Sequence, residues 1–141
     1  KRTHGENNVF YEMLRRRCMA NLTKVYQEID ESRGMLCEGC ESNQHLTHSH
    51  RVPRGRSKDL VTKKRNIDIY CLACHSHVES GKFWLLNNGA EVIRYILKHD
   101  PQGMSRVMKM GDKMVECGVS IKDQQYWTDF ILKIIDDNEN N

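Results

Sequence analysis

Along the first quarter of the chain, apolar residues recur at steps of three and four: Tyr11, Leu14, Cys18, Leu22, Val25 and Ile29. That is the period of an amphipathic helix. Asn7 or Asn8 offers a cap at its start and Gly34 a stop at its end. The polar residues 1–7 read as frayed. After Gly34 the period shortens. Leu46 to Val52 reads as a strand, closed by Pro53, which has no N–H to give a ladder. Ile67 to Cys71 alternates as a second strand, and Leu72 to Ser80 starts a short helix that Gly81 stops. Phe83 to Leu86 is an apolar clasp, and Asn87-Asn88-Gly89 a turn. Glu91 to His99 is a helix with Ile93, Ile96 and Leu97 on one face, ended before Pro101. Met104, Val107, Met110, Met114 and Cys117 form one further helical stripe, ended by Gly118 and read as core. Ser120 starts a last helix, whose Trp127, Phe130, Ile131, Ile134 and Ile135 make it the most amphipathic of the chain. The acidic tail from Asp136 reads as disordered.

With 141 residues and 38% hydrophobic content, the chain has room for one domain with a modest core. No apolar run is long enough for a membrane span, and the first residues carry no signal-peptide pattern. The net charge of +3 is uninformative as an average. Its distribution is not. Seven of the fifteen residues from Arg51 to Arg65 are Lys or Arg, against one Asp. A loop this basic repels itself unless a polyanion neutralises it. Arg51, Arg54, Arg56, Lys63, Lys64 and Arg65 are therefore the candidate phosphate contacts to DNA. Arg15, Arg16 and Arg17 beside the first helical stripe read equally well as a solvated face or as phosphate contacts.

The cysteines change the picture most. Cys37-Glu38-Gly39-Cys40 and Cys71-Leu72-Ala73-Cys74 are two Cys-x-x-Cys knuckles, and tetrahedral zinc takes four thiolates. This spacing argues for a structural zinc, in a reducing, cytoplasmic compartment, over a disulfide framework. Such a clip offsets a small core. Cys18 and Cys117 lie outside the knuckles.

The segment between and around the knuckles reads strand, basic loop, strand, helix. Its residues are Cys37-x-x-Cys40, then Leu46-Thr47-His48-Ser49-His50-Arg51-Val52-Pro53-Arg54, then Asn66-Ile67-Asp68-Ile69-Tyr70-Cys71-Leu72-Ala73-Cys74-His75. This resembles the HNH endonuclease family of the ββα-metal (His-Me finger) type, over about a third of the 141 residues. The resemblance implies an α+β fold, a small zinc-stapled ββα-metal finger embedded in flanking helices. The expected divisions are residues 1–35 as an N-terminal helix, 36–81 as the HNH core and 82–141 as a helical region with an acidic tail.

The resemblance also implies roles. His50 matches the general base that activates water, and Asn66 the asparagine that steadies the loop. His75 matches a ligand of a catalytic divalent ion, Mg²⁺ or Mn²⁺. Glu79, four residues on, shares its helix face and is the candidate second ligand. One departure stands out. The position before the base is usually Asp or His and binds the metal, whereas here it is Ser49, a poor ligand for a hard cation. A register shifted by two makes His48 the base and Thr47 its neighbour, which resembles the junction-resolving branch of the superfamily. For His45 and His77 surface roles are expected.

The implied activity is hydrolysis of DNA phosphodiesters, by nicking or double-strand cutting. The alternative is a non-catalytic nucleic-acid or protein-binding module of the same fold. Small modules of this kind occur in phage and bacteria in homing, restriction, packaging or recombination, so a homodimer or a larger machine is an implied partner.

Overall fold

The computed structural model describes residues 4–140, with side chains from Val9 onward. Helix α1 (His4–Arg33) ends at Gly34, whose φ of 73° is costly for any residue with a Cβ. The backbone of Asn7 and Asn8 lies inside the helix, not at its start; of the expected frayed segment, residues 1–3 fall outside the described residues. Among the residues whose side chains are described, it is the second half of α1 that packs on the rest of the protein. Leu22 and Ile29 are buried and Val25 is half-buried, whereas Tyr11, Leu14 and Cys18 are exposed. The reason is length. Thirty residues of helix span about 45 Å, while five-residue strands offer a surface only about 17 Å long.

Strand β1 (Leu46–His50) pairs antiparallel with β2 (Ile67–Cys71), with His50 opposite Ile67 and Leu46 opposite Cys71. Strand β1 stops at His50, two residues short of the expected end, because the Val52 amide leaves the ladder for the Asn66 side chain. Opposite residues share a face, so His48, His50, Ile67 and Ile69 look one way and Thr47, Ser49, Asp68 and Tyr70 the other. The first face packs on α1 through Leu22 and Ile29. The outer edge of β2 is closed rather than left as a template for another strand. Arg33 donates to the Ile67 carbonyl at 2.6 Å, and Glu38 accepts from the Ile69 amide at 2.8 Å.

Helix α2 (Leu72–Glu79) follows directly, and Gly81 at φ 78° turns the chain. A single 3₁₀ turn at Phe83–Leu85 leads to α3 (Gly89–His99), which starts two residues earlier than expected. The methionine stripe is two short helices, α4 (Met104–Met108) and α5 (Met110–Glu116), joined at Lys109. Val107, Met110 and Met114 are buried as expected, but Cys117 is exposed. Ser120 caps α6 (Ile121–Glu139), its Oγ accepting from the Asp123 amide at 3.1 Å. Two expectations fail in α6. The helix continues through Asp136 to Glu139, held one turn earlier by buried Ile134. The sharper segregation of apolar and polar faces belongs to α3, where Val92, Ile93 and Ile96 are all buried. Ile134 joins Tyr70, Cys37, Cys74, Phe83, Ile93, Ile96 and Met110 in one core. The knuckles and the C-terminal helices thus share a single apolar interior, and the sheet is its boundary with α1. Among the described residues, no helix is long and apolar enough to cross a membrane.

Candidate metal centre and histidine site

The four knuckle cysteines meet. Their sulfur atoms all lie within 4.8 Å of one another, and Cys40 Sγ is 3.6 Å from Cys71 Sγ. A tetrahedral ion at zinc–thiolate distance needs sulfurs about 3.8 Å apart, so the set fits a metal. The knuckles are brought together by local geometry. Cys71 ends β2, and its Sγ accepts from the Cys74 amide in the first turn of α2. The first knuckle is hung on β2 by the Glu38 amide, which donates to the Ile69 carbonyl at 2.8 Å. Gly39 is required there, because a Cβ at that position would lie 2.8 Å from Cys74 Sγ and 2.9 Å from Leu86. The bond from the Cys74 amide holds the Cys71 thiol down to about 7, whereas burial pushes the Cys74 thiol well up. Four thiolates so close repel one another, and a bound cation removes that conflict. Among the described residues, this is the only group of three or more Cys, His, Asp or Glu so placed.

His75 sits in the first half of α2, over Thr47 of β1. Thr47 Oγ1 donates its one hydrogen to the Tyr70 carbonyl at 2.8 Å. It must therefore accept from His75 Nδ1–H, 2.7 Å away. In the neutral ring the lone pair is then on Nε2. Glu79 Oε1 lies 3.3 Å from that Nε2. An imidazole nitrogen and a carboxylate so close can share one metal ion. Glu79 is thus beside His75, as its helical spacing predicts. Ser49 is not. It is only 6% exposed and faces Asp68, so the β1 hydroxyl that meets His75 belongs to Thr47.

His50 lies on the opposite face of the sheet from Thr47. Its Nε2 donates to the Val61 carbonyl at 2.8 Å, which leaves Nδ1 as the lone-pair nitrogen. Burial lowers its pKa; the Val61 bond opposes this, and Arg54 and His48 add to it. The imidazole is therefore neutral at neutral pH. Asn66 is fully buried and ties the intervening loop down. Its Oδ1 accepts from the Val52 amide at 2.7 Å, and its Nδ2 donates to the Val52 and Leu60 carbonyls at 3.1 and 3.0 Å. His48 is half-buried between the sheet and α1. It stacks on Tyr26 with centroids 4.0 Å apart, and its Nε2 is 2.8 Å from Asp30 Oδ1. His48 thereby fastens α1 to the sheet.

The six candidate phosphate contacts divide. Arg51 makes two hydrogen bonds to buried Asp68, at 2.9 and 2.8 Å. Arg56 pairs with Asp100, which is 3% exposed. Both guanidinium groups are thus engaged with buried carboxylates of the fold. Lys64 pairs with Glu28 at the surface, 2.9 Å apart. Arg54 is exposed and donates to the Tyr26 hydroxyl at 3.2 Å. Lys63 and Arg65 are exposed and have no carboxylate partner among the described residues. Three residues of α3 join this basic surface: Arg94, Lys98 and His99. Only the packing of α3 beside residues 60–65 makes them neighbours of the loop, and no pattern in the sequence records that. Asp30 and Tyr26 were likewise unmarked, since α1 meets β1 only in the folded chain.

No family model, curated protein or solved structure matches this chain.

Proposed function

We propose that the chain is a metal-dependent DNA endonuclease of the HNH type, hydrolysing phosphodiester bonds, with a structural zinc on Cys37, Cys40, Cys71 and Cys74. One observation carries this reading: His50 Nε2 is bonded to the Val61 carbonyl, so a neutral imidazole presents Nδ1 as a base. A fixed ring with a nitrogen that stays unprotonated at neutral pH is suited to accept a proton from water. Asn66 supports the role by holding the chain that follows His50 at Val52 and Leu60. His75 and Glu79 are the residues that would hold a divalent ion, Mg²⁺ or Mn²⁺. Such an ion, when bound, supplies stabilisation of charge on the phosphorus-bound oxygens and on the leaving oxygen. Thr47 keeps the lone pair of His75 on Nε2, where Glu79 stands. Arg54, Lys63 and Arg65 supply the exposed positive charge for the DNA backbone.

A second reading, a binding module of the same fold without cleavage, is favoured by the burial of Ser49. Without it, His75 and Glu79 are two ligands on one helix and His50 stands across the sheet.

Nicking of supercoiled plasmid with Mg²⁺ or Mn²⁺ separates the two. The endonuclease reading expects cutting by the native protein and none by His50→Ala, with DNA binding retained. Cutting by His50→Ala but not by His48→Ala assigns the base to the shifted register. Absence of cutting with every divalent ion, alongside DNA binding, assigns the binding module.

A further inference from the structure

We propose that the groove between α3 and residues 60–65 binds a nucleic-acid strand, with phosphates on Arg65, Arg94 and Lys98 and an unpaired base against Tyr95 and His99. The groove consists of two adjoining hollows, of about 480 and 620 Å³, that share Arg65, Tyr95, Lys98 and His99. A single phosphate or small anion needs one hollow. Two that share a wall leave room for an extended ligand. The floor of the first hollow is neutralised from within, because Arg51 is paired with Asp68 and Arg33 with Glu38. The walls are not. Arg65, Arg94 and Lys98 have no carboxylate partner among the described residues, and Lys63 stands beside them in the second hollow. Glu91 is at the rim, 3.7 Å from Arg51 and 70% exposed, and is the one acidic group on the α3 wall.

The aromatic pair decides the class of polyanion. Tyr95 and His99 are one helical turn apart with ring centroids at 4.3 Å, and His99 is exposed. The Arg51 guanidinium lies 5.4 Å from the Tyr95 ring centre and holds that ring in place. Cations and an exposed ring lining one groove suit a strand whose phosphates are neutralised while a base stacks. An acidic peptide has no use for the ring faces, and a membrane surface has no use for a concave track. This deepens the nuclease reading by adding a second contact on the substrate, away from His75, but it stands on binding alone.

The test is fluorescence anisotropy of a labelled 20-nucleotide single strand and its duplex, with no added Mg²⁺, for the full chain. Lys98→Glu and Arg65→Glu are compared with Lys133→Glu, the same charge change on exposed α6. Thermal unfolding checks that each variant is folded. Each groove variant is expected to weaken single-strand binding by about tenfold or more at low salt and to flatten the log–log salt slope by about 1–2. Lys133→Glu is expected to bind like the native protein. His99→Ala should weaken the single strand more than the duplex. Groove variants that bind no worse than Lys133→Glu overturn the proposal, as does displacement of the strand by a mononucleotide at equal concentration, which would assign a small ligand instead. Native nicking by a Lys98→Glu protein with undiminished binding sinks the groove and spares the nuclease. Lost binding by the groove variants, with no cutting by any protein, spares the groove and sinks the nuclease.

Discussion

Thr47 and His75 are joined by a hydrogen bond of 2.7 Å whose direction is fixed by a third group, the Tyr70 carbonyl. The threonine hydroxyl has one hydrogen and gives it to the strand, so it can only accept from the ring. A short side chain on β1 thereby decides which nitrogen of His75 faces Glu79. Thr47→Val removes the acceptor and lets the ring take either tautomer. If His75 holds the catalytic ion, the Mn²⁺ concentration for half-maximal nicking should rise about tenfold or more in Thr47→Val, with Thr47→Ser close to native. An unchanged metal requirement in Thr47→Val would show that the bond has no part in ligation.

The lowered pKa of His50 makes a pH prediction with a definite sign. The active form of a base is the deprotonated one. Nicking should therefore be lost only as pH falls below the ordinary histidine range, and be level from pH 7 upward. Val61 offers a carbonyl that no side-chain change removes, so the ring itself is varied. His50→Gln keeps a donor to Val61 but has no titrating nitrogen, and should fold while losing turnover by about 10²-fold or more. A pH midpoint at or above the ordinary histidine value would contradict burial as the governing influence.

One zinc per chain is expected on the four cysteines, measurable by elemental analysis after gel filtration. Cys40 is the exposed member of the set, so Cys40→Ser is the mildest test. It should release the ion at lower chelator concentration than the native protein needs, and lower the unfolding temperature. Because Cys37, Cys71 and Cys74 belong to the same core as Phe83 and Ile93, chelation should loosen α3 and α6 as well as the knuckles. Hydrogen exchange on α3 that does not respond to chelation would refute that coupling.

Asn66→Ala should cost about 2–4 kcal/mol in urea unfolding, because it leaves the buried Val52 amide and carbonyl without partners. Asn66→Asp keeps the acceptor for the Val52 amide but puts a carboxylate against two carbonyls, and should be about as damaging. A cost below about 0.5 kcal/mol, the scale of surface changes, would mean the loop is held by other contacts.

Asp68 is 1% exposed and paired to Arg51 through two bonds, with Asn88 donating to it at 3.2 Å. Removing one partner strands the other in the interior. Arg51→Ala should therefore destabilise by about 3–5 kcal/mol, whereas Arg54→Ala, in the same loop but exposed, should stay within about 0.5 kcal/mol. Comparable costs for the two would undo the division of the basic loop into structural and surface arginines.

The sequence by itself determined whatever depends on near neighbours in the chain. The second strand, the Gly34 and Gly81 stops and the Ser120 cap follow from side chains acting on their own backbone. The pairing of His75 with Glu79 follows from helical spacing, and the cysteine cluster from two knuckles too short to serve separately. The length of α1 that is buried was not legible, because it depends on how much sheet there is to cover. Nor was the use made of the charges. A run of seven cations looks like one surface in sequence, yet Arg51 meets Asp68 at a separation of 17 residues and Arg56 meets Asp100 at 44. Which cation is left for a ligand depends on which carboxylate the fold buries beside it, and periodicity carries no record of that. The same holds for both histidine tautomers and for the groove beside α3, since each is made by segments that become neighbours only when the chain has folded.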